Sequence, residues 1–316
     1  MKHESSKEMN TNLTSGTCRR TLLLSAALAT AVCIPYVTKA ERNSDSSRYQ
    51  QINLVSDIAG VAQVQDTNLV NGWGISYHPT FPFWISDNGT GKTTLYSVTN
   101  DASGAPHAET VPLVVSIPGG GSATGQVINN STAFNSDIFL FVSEDGTISG
   151  WRPDLGPAAE TLASRPTAVY KGVTLASVGT NTVLLAANFS EGTLDVYDAG
   201  ANLLGQFSDN TVPPGYAPFN VQNLSGIVFV TFAKQDSAKK DDAPGRGRGL
   251  IDTFNVNSSK FYRFAAGTSA NFRWCNSRGR NRSLNRNSQR CPRVSLVHSN
   301  FHSSSPPSRS YSVTPR

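Results

Sequence analysis

Between residues 49 and 267, short runs of β-branched and aromatic residues alternate with clusters of Gly, Asn, Asp and Pro. No apolar periodicity of the helical kind extends beyond a turn or two in this region. Short apolar runs bounded by turn-forming residues are typical of antiparallel strands. The pattern therefore predicts an all-β fold.

One unit of the pattern recurs four times. An apolar strand leads into a polar turn that contains glycine, and a second strand with an aromatic residue near its end follows. The copies lie at residues 83–96, 139–151, 183–198 and 227–254, and their turn glycines (89, 146, 192 and 249) are 57, 46 and 57 residues apart. An apolar segment precedes each copy, at residues 73–77, 125–128, 170–175 and 219–222. We predict that these four segments are the innermost strands of repeated units.

A recurrence of about 40 to 50 residues that carries hairpins is typical of the blades of a β-propeller. One four-stranded sheet cannot bury both of its faces alone, so the units are expected to stack around an axis. A β-sandwich or a β-helix stays open as an alternative, because turn-rich alternation also occurs in those folds. We favour a propeller with about four recognisable blades in residues 41–270.

Several segments carry a resemblance to known sequences. They are YQQINLVSD at 49–57, NLVNGWGI at 68–75, FWISDNGTG at 83–91, SEDGTISGW at 143–151, GYAPFNVQ at 215–222 and TFAKQD at 231–236. These segments resemble an uncharacterised family of exported β-propeller proteins, some of whose members carry PEP-CTERM sorting tails. The resemblance covers about residues 48–270. It implies export and the fold, and it implies no substrate and no catalytic residue.

The resemblance stops after residue 267, where a family member would continue into a further blade. Residues 271–316 hold eleven Ser, nine Arg and six Asn, with no Lys, Asp or Glu. Such a composition buries too little apolar surface to offset chain entropy, which predicts a disordered tail. We interpret the abrupt change as an out-of-frame gene end. The propeller is then an incomplete ring, and its open edge favours association.

The first forty residues have the layout of a signal peptide. Arg19 and Arg20 precede an apolar run over residues 22–37, and the small residue Ala40 follows it. This order of basic, apolar and small residues predicts export and cleavage after Ala40. The mature protein is then secreted, periplasmic or extracellular, with no stable membrane span. An uncleaved membrane anchor is the alternative interpretation.

Charge is distributed very unevenly along the chain. The net charge is +5, but residues 271–316 carry +9 and residues 1–40 carry +3, which leaves −7 for residues 41–270. A folded body of this sign lacks the basic surface that binds phosphate backbones. We therefore expect no nucleic-acid partner. Cys18, Cys33, Cys275 and Cys291 all lie outside the body, so disulfides do not hold it together.

Candidate chemistry is confined to the turns and inner strands. Carboxylate and amide oxygens bind Ca²⁺, and Glu144, Asn188 and Asn220 are weak candidates for such a site. Acidic and amide residues before glycine also make turns, and the spacing does not show that the three side chains converge. A charged insertion at residues 234–248 is a further candidate for recognition, since long insertions often carry function.

These observations favour a non-enzymatic recognition or scaffold protein that contacts an extracellular protein or glycan. A calcium-dependent hydrolase of the propeller lactonase type is the alternative. We assign no catalytic residue and no organic cofactor from the sequence, because no Ser-His-Asp arrangement or phosphate-binding loop is recognisable.

Overall fold

The computed structural model describes residues 51–245, 247–266, 295–299 and 310–314. In these residues the regular structure is nearly all strand, with two short 3-10 turns at Phe134–Ser136 and Pro153–Leu155. The predicted all-β class is confirmed. The leader at 1–40 and nearly all of the tail at 271–316 lie outside the described residues, so cleavage and disorder stay predictions.

Four antiparallel sheets follow one another along the chain, and in each a meander of four strands pairs in sequence order. Blade 1 comprises β3 (Gly72–Ser76), β4 (Phe83–Asp87), β5 (Lys92–Asn100) and β6 (Pro106–Thr110), with β7 (Val115–Ser116) added beside β5. Blade 2 comprises β8 (Ala123–Ile128), β9 (Phe139–Ser143), β10 (Thr147–Trp151) and β11 (Glu160–Ser164). Blade 3 comprises β12 (Tyr170–Val178), β13 (Asn181–Asn188), β14 (Thr193–Tyr197) and β15 (Leu203–Phe207). Blade 4 comprises β16 (Tyr216–Leu224), β17 (Ile227–Lys234), β18 (Gly249–Asn255) and β19 (Lys260–Ala266).

Two small sheets complete the described strands. Before blade 1, β1 (Val55–Ser56) pairs in parallel with β2 (Val64–Gln65). After blade 4, β20 (Ser295–Ser299) pairs in antiparallel fashion with β21 (Ser310–Thr314).

The first strands of the four blades, β3, β8, β12 and β16, are neighbours in space and surround a common axis. These are the strands predicted to be innermost. Apolar side chains fill each space between successive blades, as where Trp84 of blade 1 stacks on Phe139 of blade 2 with ring centroids 4.0 Å apart. Val183 of blade 3 and Phe232 of blade 4 belong to the corresponding cluster at the last of these interfaces. The propeller architecture with four blades is therefore confirmed.

Every inner strand carries an irregularity at the same place. The pairing register shifts across Trp73–Gly74 and Thr124–Gly125 in blades 1 and 2, and at Lys171 and Phe219 in blades 3 and 4. A β-bulge of this kind bends a strand and redirects a side chain. The neighbouring inner strands approach so closely that a Cβ atom on Gly125 would lie 2.7 Å from the Cα of Gly172. Glycine is therefore required at that position for the strands to pack.

The two outermost blades differ in how their far faces are covered. Leu54, Val55 and Leu69 pack on Ile85 and Tyr96 and so bury the face of blade 1 that points away from blade 2. Blade 1 is thus covered on both sides.

On blade 4, Val228 and Val230 pack toward blade 3, and alternation along the strand turns Phe229 to the opposite face. There Phe229 contacts Phe264 edge-on at 5.2 Å between centroids, and Tyr262 and Phe264 are 54% and 64% exposed. Within the described residues, this face of blade 4 therefore stays largely exposed.

We expect the far face of blade 4 to associate with a second sheet face, because an apolar sheet surface gains free energy when it is covered. The wild-type protein should sediment as a dimer or larger species. The double variant Tyr262→Lys and Phe264→Lys should sediment as a monomer. Glu109→Lys, a change of an exposed residue on β6 of blade 1, should leave association unchanged. A monomeric wild-type protein at micromolar concentration would contradict this expectation.

Candidate functional site

Three bulge side chains from different blades meet at the axis. The rings of Trp73 and Phe219 stack with centroids 5.8 Å apart and an interplanar angle of 27°. The Lys171 ammonium nitrogen lies 5.1 Å from the Trp73 centroid and 6.0 Å from that of Phe219. The indole Nε1 of Trp73 donates a hydrogen bond to the Lys171 carbonyl oxygen at 3.0 Å. A cation beside aromatic faces is stabilised by the ring quadrupoles, most strongly where water is excluded.

Two carboxylates complete this group. Lys171 is fully buried, and its Nζ forms an ion pair with Glu144 and a second one with Asp241 Oδ1 at 3.2 Å. We call Trp73, Lys171, Phe219, Glu144 and Asp241 the axial cluster. A buried ammonium is tolerated only when it is paired, and removal of its partners is strongly destabilising.

The carboxylates of the axial cluster come from loops at one end of the blades. Glu144 lies in the β9–β10 turn, where its backbone N–H donates to the Ser122 carbonyl at 3.1 Å. Asp241 comes from residues 234–248, which we call the blade-4 insertion. Both loops join the second and third strands of their blades, so they lie at the same end of the propeller. We call this the axial end.

Hydrogen bonds fold the blade-4 insertion back over the axis. Gln235 and Asp242 form an antiparallel bridge, and the Asp236 N–H donates to the Asp241 carbonyl at 2.8 Å. The Gln235 side-chain amide donates to the Phe189 carbonyl. The insertion sequence contains no large apolar side chain. Polar contacts, rather than core packing, therefore hold Asp241 in place.

The three candidate calcium ligands belong to different sets of contacts. Glu144 is in the axial cluster. Asn188 donates to Asp195 Oδ2 and Glu191 Oε2, each at 3.0 Å. The side-chain oxygen Oδ1 of Asn220 accepts a hydrogen bond from the Val221 N–H at 2.8 Å. Among the described residues there is no group of three or more His, Cys, Asp or Glu side chains with metal-binding geometry. Calcium binding stays a prediction.

Of the axial cluster, the sequence indicates only Glu144 as a candidate ligand. Trp73, Lys171 and Phe219 lie in segments predicted as inner strands, and Asp241 lies in the charged insertion at residues 234–248. A signal was available for Lys171. The register places it at the position held by Trp73, Thr124 and Phe219 in the other inner strands. A lysine inside an otherwise apolar inner strand requires a charged partner. The partner Asp241 is 70 residues away, and no local pattern indicates that pairing.

Buried carboxyl groups also lie within the blades. Burial raises the pKa of Asp87 to about 9, and the Thr94 hydroxyl only partly opposes the shift. Burial, reinforced by Asp209, raises the pKa of Asp252 to about 7 although Arg263 pairs with it. Hydrogen bonds from Asp252 and Thr211 lower the pKa of Asp209 against the effect of burial. The titrations of Asp209 and Asp252 are therefore coupled.

The opposite end of the propeller, where first strands turn into second strands and third into fourth, carries a partly apolar cleft. We call this end the turn end. A cleft of about 460 Å³ lies there between blades 3 and 4. Apolar side chains dominate its lining, among them Val178, Val183, Val196, Leu204, Phe207 and Phe254.

Exposed apolar side chains gather at the same end. Six of the eight large hydrophobic side chains that are exposed in the described residues lie in or beside these turns: Tyr77, Phe81, Leu203, Leu204, Leu224 and Ile227. These side chains come from blades 1, 3 and 4. A patch of exposed apolar side chains marks an interaction site more often than an isolated exposed residue does. Within the described part of the chain, no helix has the length and hydropathy needed to cross a bilayer.

Sequence comparison places the chain beside uncharacterised proteins. It is 27% identical over 242 residues to an uncharacterized protein of Acanthamoeba polyphaga mimivirus and 28% identical over 242 residues to a second one. Each match covers 70% of this chain, but only 58% and 62% of the relatives. The chain therefore spans about three-fifths of their length. No protein-family model matches the sequence.

Among solved structures, the chain is similar to a streptogramin B lyase. The two share 12% sequence identity and a TM-score of 0.38, over 70% of this chain and 88% of that one. The four sheets show a propeller fold, and the matched relatives are uncharacterised.

The pKa of Asp87 predicts a pH-dependent stability. Because burial raises its pKa to about 9 from 3.8, the neutral carboxyl stabilises the fold fully below pH 3.8, and this contribution is lost as the pH rises toward 9. Asp87→Asn removes the ionisation. Its free energy of unfolding relative to wild type should therefore increase between pH 5 and pH 8, by at most about 1.4 kcal/mol per pH unit.

Urea denaturation at the two pH values measures this difference. The control is Asp101→Asn, which removes an exposed carboxylate whose pKa the Ser103 hydroxyl lowers. That control should not gain stability with rising pH. Equal pH profiles for Asp87→Asn and wild type would show that Asp87 is not neutral in the fold.

Proposed function

We propose that this protein is a non-enzymatic recognition or scaffold propeller of the extracytoplasmic space, and that it contacts a protein partner through its turn end. The observation that carries the proposal is the set of exposed apolar side chains in the turns at this end, one of which, Leu204, lines the cleft between blades 3 and 4. Export rests on the signal-like sequence of residues 1–40.

The chemistry of the turn end favours a protein over a glycan as partner. Leu203, Leu204, Leu224 and Ile227 are aliphatic, and aliphatic surface gains most from burial against other apolar groups. An open cleft lined by Val and Phe side chains suits an inserted hydrophobic anchor, which is where binding energy concentrates in protein interfaces.

The axial end supports a binding role rather than catalysis. The charged groups of the axial cluster are engaged by one another, with Lys171 held between Glu144 and Asp241. Catalysis needs groups that reach a reacting atom, and these side chains already satisfy each other.

Substitution at the turn end tests the proposal. Leu204→Glu and Ile227→Glu each place a charge on the apolar surface without removing a core side chain, so the fold should persist. We expect these variants to retain less than about a tenth of the wild-type capture of partner from the extracellular fraction of the source organism, because a charge buried at an interface is costly. Phe264→Glu, on the far face of blade 4, should capture as wild type does. If the wild-type protein and the three variants all capture the same proteins, the turn end is not the partner-binding surface.

Calcium separates this proposal from the hydrolase alternative. The Glu144 carboxylate already pairs with Lys171. We therefore expect the melting temperatures in millimolar Ca²⁺ and in EDTA to lie within about 1 °C of each other. A saturated calcium site would instead stabilise the fold by about 2.7 kcal/mol at a hundredfold excess over Kd. A calcium-dependent rise of several degrees that Glu144→Gln abolishes would instead favour the hydrolase.

A further inference from the structure

The blade-4 insertion is not needed to build its blade. In blades 1, 2 and 3 the second and third strands are joined by short turns, at residues 88–91, 144–146 and 189–192. In blade 4 the same connection runs from Lys234 to Gly249. The extra residues reach over the axis and bring Asp241 to Lys171.

The charge balance around Lys171 is complete without the insertion. Glu144 alone neutralises the ammonium, and its side chain is almost fully buried beside it. Asp241 adds a second, partly exposed carboxylate on the outer side of the same nitrogen. Asp242 follows directly and is also buried; burial raises its pKa, and the Asp241 and Asp236 charges raise it further while Lys171 opposes them. The insertion therefore places more negative charge at Lys171 than pairing requires.

We propose that the axial cluster is a carboxylate-binding site and that Asp241 is its internal occupant, carried by an insertion that a ligand can displace. When the insertion moves aside, Lys171 keeps Glu144 and donates its outer N–H to the carboxylate of the incoming molecule. Trp73 and Phe219 then receive an aromatic or apolar group attached to that carboxylate. The ligand class is thus a small carboxylate with a flat apolar part, or an acidic or carboxyl-terminal peptide segment of that chemistry.

The structure supports displacement because the insertion is held by polar contacts alone. Its side-chain contacts to the rest of the propeller include the hydrogen bond from Gln235 to the Phe189 carbonyl and the ion pair between Asp241 and Lys171, and its side chains from Ser237 to Lys240 are exposed. Segments with few buried apolar contacts open at low free-energy cost. The ammonium and the two ring faces, by contrast, sit on bulges of inner strands fixed by close packing.

This site lies at the axial end and does not depend on the turn end, so the two proposals fail separately. Turn-end variants should bind the carboxylate probe unchanged, and axial variants should capture protein partners unchanged.

Calorimetric titration with phenylacetate tests the inference, with the uncharged phenylacetamide as the matched probe. Asp241→Asn removes the internal carboxylate while keeping the size of the side chain. This variant should bind phenylacetate at least about tenfold more tightly than wild type, because the Asp241 carboxylate no longer competes with phenylacetate for Lys171. Asp145→Asn removes a neighbouring exposed carboxylate that does not contact Lys171 and should bind as wild type. Lys171→Met should not bind. Phenylacetamide should bind none of the four forms measurably.

Equal phenylacetate affinity in Asp241→Asn and wild type overturns the proposal, as does equal affinity for phenylacetate and phenylacetamide. If Lys171→Met does not fold, hydrogen exchange in the wild-type protein supplies the decisive measurement. Saturating phenylacetate should speed exchange of the amides at residues 235–243 severalfold, because their contacts to the axis are broken. Unchanged or slower exchange there also overturns the proposal.

Discussion

The close approach of the four inner strands around the axis is the constraint on which the rest of the structure depends. Strand backbones come near enough that Gly125 cannot be replaced by a residue with a side chain without something shifting. The bulge at each of these positions keeps the strand paired within its own blade while it redirects one side chain. Blade stacking, the aromatic contact at the axis and the position of Lys171 all follow from this arrangement.

The axial cluster shows how the fold uses a polar residue where the repeat would admit an apolar one. Trp73 and Phe219 fill space near the axis and bury ring surface against each other. Lys171 at the corresponding place in blade 3 brings a charge into the same volume, which requires a carboxylate from a loop at the axial end; Glu144 supplies it and Asp241 adds a second one. A single residue choice on an inner strand therefore determines what the loops at the axial end must carry.

Much of the fold was predictable because its signals are local. Turns such as Asp87–Gly91 and Glu144–Gly146 predict hairpins from their own residues. The apolar segments that precede the four copies of the unit coincide with β3, β8, β12 and β16. The candidate site was less accessible. Glu144 was recognised as a candidate through its turn, but its partner Lys171 depends on how blades 2 and 3 face each other, and Asp241 on how a polar loop folds back. Asn188 shares the turn signal, yet its hydrogen bonds run within blade 3 to Asp195. Contacts between repeats depend on their stacking, which spacing along the chain does not encode.

The N-terminal segment that covers blade 1 makes the two ends of the row of blades unequal in stability. Each blade touches only its neighbours, so stability propagates along the row as it does in other repeat proteins. Blade 1 is supported on both faces by Leu54, Val55 and Leu69 on one side and by blade 2 on the other, whereas blade 4 is supported on one. Fraying therefore begins at blade 4 and advances toward the covered end. The blade-4 insertion, which covers Lys171, belongs to this least supported blade. Access to the axis therefore depends on the local stability of blade 4.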